Sequence, residues 1–395
     1  MRDLVYLDAA ASTPIAPEAL AATLDALQHV GNPGAAHVAG VKAARVIEGA
    51  RQAIADLLQV GPASVVFTST ATEANNLAMR GVEAGMGRRG IVTTTTEHPS
   101  VLATLVDLST RGRRTHTVTV AATGEIDLDE LDAVLTRETL LVSVQAANNE
   151  TGVIQPIELV SDLAHAVGAL VHTDASQLMA WGQAPLLEGC DLVTISSHKM
   201  YGPQGAAALI VKPSAREFLS AQITGGGQER GLRSGTLNVA AIAGFGAATE
   251  LALASGNDAA LATTALRTRL LAGLVAGIGD VVEHGASTAR RLPGVLNVAV
   301  GTSNPESVES EALLARIPNL AASTGSACHA GAPGPSPVLV AMGISEWAAA
   351  RSIRLSLSRY TTTPEVDEAI SALSGGYSDL ARLLGSDLFE ERYVR

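Results

Sequence analysis

Short apolar runs alternate with amphipathic helical patterns between about residues 64 and 211. Several of these runs are apolar throughout, which is typical of strands that helices cover on both faces of a sheet. The alternation predicts an α/β fold with a mostly parallel, seven-stranded sheet. We predict strands at residues 64–68, 90–94, 115–120, 139–145, 169–173, 191–195 and 205–211.

Helical patterns lie before and between these runs. Residues 40–60 form a long amphipathic pattern that ends at Gly61 and Pro62. Residues 156–167 begin with Pro156, carry apolar side chains at helical spacing and end at Gly168. Proline at a helix start and glycine just past its end fit the backbone preferences of those two residues. Both segments are therefore predicted to be helices.

The pattern changes after about residue 264. A helix at 266–278, a strand at 294–300, a Ser/Gly/Pro-rich loop at 323–337 and a strand at 352–356 predict a smaller α+β domain. A long helix is expected to continue through residues 251–261, where the two domains meet. We predict a large domain at 14–256, and a small domain made of residues 1–13 and 257–395.

Composition narrows the function classes. The net charge of −12 argues against a broad nucleic-acid-binding face. No apolar run approaches the roughly 18 residues of a membrane span, which argues against the transmembrane class, and the first residues lack the pattern of a secretory signal. Two cysteines cannot build a disulfide framework. We expect a cytoplasmic enzyme with no direct contact to nucleic acid or membrane and no metal site.

Lysine is rare, with only Lys42, Lys199 and Lys212 in 395 residues. Lys199 lies in the sequence segment ISSHKMYGP, shortly after a predicted strand. Ligands of open α/β sheets bind at the carboxyl ends of strands, so this position suits a site residue. A partly desolvated lysine there could form a Schiff base with an aldehyde cofactor. A solvated surface lysine explains the position about equally well.

Asp174, in the text HTDASQ, also follows a predicted strand and precedes Lys199 by 25 residues. Pyridoxal phosphate needs a carboxylate at its pyridine nitrogen, because a protonated ring stores electrons. A helix N-cap is the simpler alternative for one aspartate. An aspartate and a later lysine that both follow strands indicate a pyridoxal-phosphate site more specifically than either residue alone.

A third strand runs into the text TSTATEANN, where a helix begins. The free N–H groups of a helix start and the Thr72 hydroxyl suit a phosphate. A capping box with Glu73 is the structural alternative, and both can hold together.

Cys328 lies in the Gly- and Pro-rich text STGSACHAGAPGPSP. An exposed loop thiol invites oxidation unless it has a function, which favours a nucleophile over an accident. Cys190 immediately precedes a buried strand pattern, so packing explains it better.

Together these motifs resemble the class V aminotransferase superfamily with the pyridoxal-phosphate fold type I, and within it the group I cysteine desulfurases (NifS/IscS-like). The resemblance covers nearly the whole chain, and the SGSAC-type loop is the text that separates group I from its sister group. The matching texts are YLDAAASTP, GNPGAAH, TSTATEANN, TEHPSV, NNETGVIQP, HTDASQ, SSHKMYGPQG, GGGQERGLRSGT, STGSAC and RSIRLSLSRYTT.

The resemblance implies pyridoxal 5′-phosphate as cofactor, bound covalently to Lys199. It implies that Asp174 pairs with the pyridine nitrogen and that Gln177 hydrogen-bonds the ring oxygen. His98 would stack on the ring and take part in proton transfer, and Asn149 would lie near the ring oxygen and the substrate.

The resemblance also implies a phosphate site and a homodimer. Ala71, Thr72, Ser196 and His198 would surround the phosphate. Thr236 matches the residue that reaches this phosphate from the partner subunit.

The remaining matches concern the substrate, L-cysteine. Arg354 matches the arginine that pairs with the substrate carboxylate, a task that suits a guanidinium fork. Cys328 matches the cysteine that becomes the persulfide, while L-alanine leaves and the sulfur passes to an acceptor protein. Iron–sulfur assembly, tRNA thiolation and DNA sulfur modification are the acceptor pathways that the resemblance allows.

The sequence departs from the family's usual motifs at two places, and two alternative functions stay open. The chain has GNPGAA where the family often has GNPSS, and His329 follows Cys328 where a small polar residue is usual. The alternative hypotheses are an aminotransferase or a selenocysteine lyase with the same fold, and a sulfur-relay subunit that acts only as a scaffold.

Overall fold

The computed structural model describes residues 4–82, 89–285, 290–303, 309–324 and 334–393. The helices are α1 Pro17–Leu27, α2 Val38–Leu58, α3 Ala71–Gly81, α4 Pro99–Thr110, α5 Leu128–Val134, α6 Ile157–Ala166, α7 Pro213–Arg216, α8 Val239–Ile278, α9 Ser310–Ala315, α10 Pro337–Ala341, α11 Glu346–Ala349 and α12 Thr363–Tyr393. The strands are β1 Val5–Tyr6, β2 Val65–Thr68, β3 Gly90–Thr94, β4 Arg114–Val118, β5 Thr139–Ser143, β6 Leu170–Asp174, β7 Leu192–Ser196, β8 Ala207–Val211, β9 Val281–Glu283, β10 Val295–Val300, β11 Leu320–Ala321, β12 Ser323–Thr324 and β13 Ser352–Ser356.

Seven strands form the central sheet in the order β2-β8-β7-β6-β5-β3-β4. Only β8 runs antiparallel to its neighbours, and the other pairs are parallel. The predicted α/β fold with a mostly parallel seven-stranded sheet is confirmed, with strand ends that differ from the predicted ones by at most two residues. The carboxyl ends of β5, β6 and β7 lie side by side, so the residues that follow them meet at one edge.

The sheet is covered on both faces because its strands are apolar on both faces. Adjacent residues of β5 show this: Val142 packs into a cluster with Ile54 of α2 and Phe245 of α8. Leu141 packs on the opposite face, into a cluster with residues of α3 and α4. Burial on both faces holds the strands in the interior, and their parallel pairing brings the strand ends to one edge.

A second core lies in the C-terminal part. The sheet β12-β13-β10-β9 is antiparallel. Its apolar face packs against α8 through Leu270 and Leu274, and against α12 through Val366 and Leu373. The N-terminal strand β1 joins this core, since it pairs with β11. The segment that follows β1 is thereby held between the two sheets.

Helix α8 runs through the predicted domain border. Its helical path is interrupted at Ser255, with φ of −147°, one residue before the end of the predicted large domain. Its N-terminal half carries Phe245 into the core of the large sheet, and its C-terminal half carries Leu270 into the second core. The exact border stays a prediction, because one helix serves both cores.

By length and composition, α8 is also apolar enough to cross a membrane, and half of its most apolar window is buried inside the protein. The sequence analysis predicted a helix here but did not count it as long and apolar enough for a membrane span, because polar residues interrupt the apolar ones. Its apolar side chains pack against α1, α2 and α12, which accounts for the composition.

Candidate active site

A cavity of about 350 Å³ opens at the carboxyl edge of the central sheet. Nine of the predicted site residues line it, which brings together side chains that are up to 128 positions apart, from Ala71 to Lys199. We call it the Lys199 cavity. Its lining residues are Ala11, Thr70, Ala71, Thr72, His98, Gln145, Ala147, Asn149, Asp174, Ser176, Gln177, Ser196, His198 and Lys199.

Lys199 lies in a single 3-10 turn that follows β7. Its Nζ donates a hydrogen bond to the carbonyl oxygen of Ala10. Gln177 Nε2 donates to the same oxygen at 2.9 Å. The N-terminal segment therefore supplies a backbone acceptor that aims both side chains into the cavity.

Asp174 ends β6, and its carboxylate is held from two sides. Oδ2 accepts a hydrogen bond from Asn75 Nδ2 at 2.7 Å, and Oδ1 accepts one from the amide of Ser176 at 3.0 Å. Two donors on one carboxylate fix its orientation.

One end of the cavity is formed by the start of α3. Thr70 caps this helix through the Glu73 amide, at 3.1 Å, while Ala71 and Thr72 lie in the first turn. The amides of a first helical turn have no intrahelical acceptor, and the helix dipole favours an anion there. Burial, followed by the nearby charge of Lys199, lowers the pKa of His198 to about 4, so His198 is neutral at pH 7.

These residues fit pyridoxal phosphate. The amine of Lys199 suits its aldehyde, the fixed carboxylate of Asp174 suits its ring nitrogen, and the start of α3 suits its phosphate. In addition, Ser176 Oγ is buried and has no hydrogen-bond partner among the described residues. An unsatisfied hydroxyl in a cavity wall is costly unless a ligand pairs with it.

Arg354 lies beside the cavity and is not in its lining. It is buried on β13, where its Nη2 pairs with Asp8 Oδ1 at 2.7 Å and its Nη1 donates to the carbonyl of Asn149 at 3.2 Å. The guanidinium thus reaches the site through the backbone of Asn149, a residue of the cavity lining.

Thr236 lies away from the Lys199 cavity of its own chain. It is exposed and lines a second cavity of about 320 Å³. The loop before it is anchored by a buried ion pair, in which Arg51 Nη2 donates to Glu229 Oε1 at 2.8 Å. Arg233 ties the same loop to Glu73 of α3 at 2.7 Å.

Cys328 and His329 lie outside the described residues. On one side the described chain stops at Thr324, and on the other it resumes at Gly334. Ser336 begins α10 as its N-cap and also donates a hydrogen bond to Glu150. Burial raises the pKa of Glu150 to about 7.

Sequence reasoning missed several residues that support the site: Asp8, Asn75, Glu97, Ser100 and Glu150. A partial signal for Glu97 was its position, because a charged residue is rarely buried and Glu97 lies just after a predicted buried strand. It is fully buried and accepts from the amide of Gln145 at 2.9 Å and from Thr94 Oγ1 at 2.8 Å. Burial raises its pKa to about 8, although these hydrogen bonds act in the opposite direction.

Glu97→Gln is expected to stabilise the protein progressively as pH rises. The pKa of Glu97 is about 8 in the folded state against an ordinary 4.5, so its contribution to stability is fully present below 4.5 and is lost as pH rises towards 8. Glutamine keeps the acceptor oxygen and never ionises. The midpoint of thermal unfolding at pH 5 and pH 8.5 measures the effect, with the exposed Glu138→Gln as control. An unfolding midpoint difference between Glu97→Gln and wild type that does not grow over this range would contradict the prediction.

Among the described residues, no three His, Cys, Asp or Glu side chains cluster so as to hold a metal ion.

Comparisons with known proteins agree with this geometry. The profile of the class-V aminotransferases matches residues 5–369. The chain is 42% identical to a cysteine desulfurase IscS of Anaeromyxobacter sp. strain Fw109-5, with 94% of this chain and 91% of the relative covered. It is 40% identical to the mitochondrial cysteine desulfurase of Drosophila melanogaster, with 92% of this chain and 78% of the relative covered. A solved NifS-like protein superposes with a TM-score of 0.85 at 32% identity, covering 94% of this chain and 98% of the other.

The fold, the cofactor chemistry of the cavity and these relatives lead to one assignment, which confirms the resemblance stated from the motifs. The chain belongs to the class-V aminotransferase family and, within it, to the pyridoxal-phosphate-dependent cysteine desulfurases.

Proposed function

We propose that this chain transfers the sulfur of L-cysteine to Cys328 as a persulfide, releases L-alanine, and delivers the sulfur to an acceptor protein. The observation that carries the proposal is the Lys199 cavity, where an amine, a fixed carboxylate and an imidazole face one space of about 350 Å³. Arg354 lies against Asn149 at the border of this space.

Pyridoxal phosphate, when bound, supplies an electron sink for the pair left at Cα. Lys199 Nζ removes the Cα proton and returns it later, since its amine lies in the wall of the cavity that would hold the substrate. Asp174 would hold the proton of the cofactor's ring nitrogen, and Asn75 keeps the carboxylate of Asp174 in place.

Arg354 binds the carboxylate of the substrate. Asp8 Oδ1 already accepts from one end of its guanidinium, which orients the group before substrate arrives. A guanidinium fork matches the two oxygens of a carboxylate, which is the group that an α-amino acid presents. This arrangement selects α-amino acids that carry a free carboxylate.

The sulfur step balances without an external oxidant. The Cys328 thiolate attacks the substrate sulfur, an S–S bond forms, the Cβ–S bond breaks and its electron pair takes up a proton at Cβ. L-cysteine and the enzyme thiol thereby become L-alanine and the enzyme persulfide. Only a thiolate can attack in this way. Cys190 does not qualify, because burial raises the pKa of its thiol to about 12.

The test is the product balance of the purified enzyme with L-cysteine. Alanine equal in amount to the sulfur released, without an added keto acid, supports the desulfurase. Amino transfer that requires a keto acid would identify an aminotransferase, and turnover of selenocysteine alone would identify a selenocysteine lyase. A protein without any turnover or cofactor absorbance would be a scaffold subunit.

We also place the enzyme in the cytoplasm, with a sulfur-acceptor protein as its partner in iron–sulfur assembly, tRNA thiolation or DNA sulfur modification. The net charge of −12 supports a protein partner rather than a nucleic acid. Transfer of ³⁵S from labelled persulfide enzyme to candidate acceptors distinguishes the three pathways.

A homodimer completes the proposal. Leu20, Leu24 and Leu27 lie at helical spacing on α1 and are exposed, as are Val30 and Val38. We call these five residues the α1–α2 apolar patch. The intervening residues 32–34 line the same cavity as Thr236. Exposed apolar surface of this kind is typical of an interface, and a second copy would bring its own Thr236 towards this chain's phosphate site.

Thr236→Val is expected to weaken cofactor binding about tenfold to a hundredfold, as the loss of a hydrogen bond to a charged group worth about 1.5–3 kcal/mol predicts. The dissociation constant of pyridoxal phosphate measures it. Mixed dimers give the control: a Lys199→Ala subunit paired with a Thr236→Val subunit contains one intact site if Thr236 acts on its partner. Mixed dimers with no activity above the two parent variants would show that Thr236 acts within its own chain or not at all.

A further inference from the structure

His98 begins α4 as its N-cap, and this position constrains its ring. The backbone amide of Ser100 donates a hydrogen bond to His98 Nδ1 at 3.1 Å. A backbone amide can only donate, so this contact favours the tautomer in which Nδ1 offers a lone pair. The proton of the neutral imidazole then resides on Nε2.

The side chain of Ser100 repeats the same constraint. Its Oγ lies 2.8 Å from His98 Nδ1 and 2.9 Å from Asn75 Nδ2. The amide nitrogen of Asn75 is a donor, so the hydroxyl accepts from Asn75 and its one proton is directed to Nδ1. Both donors at Nδ1 therefore agree on one tautomer.

Asp174 determines which groups donate in this hydrogen-bond network, because its carboxylate can only accept. The second N–H of Asn75 points to Asp174 Oδ2 at 2.7 Å. Reversing the amide would place Asn75 Oδ1 against a carboxylate, where two acceptors meet without a proton. Asn75 is fully buried, and Asn75 Oδ1 has no partner among the described residues. The amide thus uses both protons and is held in one orientation.

We propose that Asn75 and Ser100 are positioning residues that fix His98 as the Nε2–H tautomer and align it with the carboxylate of Asp174. For the reaction this inference rests on the proposed function. A second proton on Nδ1 would meet the amide N–H of Ser100, so His98 serves as a hydrogen-bond donor through Nε2. Removal of the Cα proton is then left to Lys199.

The primary test measures the tautomer directly in the holoenzyme, without substrate. The nine histidines are labelled with ¹⁵N, and the signals of His98 are assigned by their loss in His98→Gln. We expect an unprotonated Nδ1 and a protonated Nε2. A protonated Nδ1 in the wild type would overturn the proposal, whatever the enzyme does with cysteine.

Variants separate positioning from packing. Ser100→Ala keeps the backbone donor and removes the hydroxyl, so a second tautomer is expected to appear, and kcat is expected to fall about twofold to tenfold, the effect of one hydrogen bond. KM for cysteine should change less than twofold. Ser100→Thr restores the hydroxyl and should restore both readouts. Asn75→Ala, which removes the preceding donor, should resemble Ser100→Ala.

Thr104→Val is the matched control. Thr104 is buried one turn further along α4 and donates to the carbonyl of Ser100, but it does not contact His98 Nδ1 through its hydroxyl. Its removal should leave the His98 signals unchanged. If Ser100→Ala gives the same His98 signals as Thr104→Val, the tautomer does not depend on Ser100 and the proposal fails.

Discussion

Cysteine turnover in Lys199→Ala is expected to fall by at least about 10²–10⁴-fold, the usual contribution of a positioned acid–base group. The variant should also lose the covalent link to pyridoxal phosphate, because Nζ of Lys199 is the amine that the sheet places in the cavity. Cofactor absorbance and mass spectrometry of the borohydride-reduced protein measure the link, and alanine formation measures turnover.

The chain offers a matched control in Lys212→Ala. Lys212 Nζ donates to the carbonyl of Glu188 and lines a different cavity. This variant should keep the link and the turnover of the wild type. A reduced adduct that maps to Lys42 or Lys212 would refute the assignment of Lys199.

Cys328→Ala is expected to bind pyridoxal phosphate and cysteine normally and to lose alanine formation by several orders of magnitude. Removing a nucleophile that acts last leaves the earlier steps intact. Single-turnover absorbance follows the early steps, alanine is quantified at the end, and a mass increase of about one sulfur atom, ~32 Da, marks the wild-type thiolate that made the attack.

Cys190→Ala provides the comparison. Its thiol is buried, with a pKa raised to about 12, so it is protonated at neutral pH and should add nothing to turnover. Stoichiometric alanine from Cys328→Ala would show that the persulfide is not formed there.

The sequence was sufficient to predict the candidate site residues that directly follow strands. Asp174 and Lys199 could be predicted because the end of a buried parallel strand has a known place in the sheet. The nine predicted site residues between Ala71 and Lys199 line one cavity, because the strands that precede them lie in one sheet.

The supporting contacts could not be predicted in the same way. Asn75, Ser100 and Asp174 come from α3, α4 and β6, and the spacing along the chain does not show that their polar atoms meet. Arg354 and Asp8 are separated by 346 positions, yet they form one ion pair. Such pairs depend on how the two cores pack together, which local patterns do not encode.

The N-terminal segment has a consequence for biosynthesis. Val5 and Tyr6 pair with Leu320 and Ala321, and the amide of Ala10 donates to Ser356 Oγ at 2.9 Å. The carbonyl of Ala10 then receives Lys199 Nζ. During translation the first residues therefore cannot make these contacts until β13 has been synthesised. The seven-stranded sheet is complete earlier, once residue 211 has left the ribosome. The contact that positions Lys199 therefore forms late, after Ser356 has been synthesised, so the Lys199 cavity is completed after the central sheet.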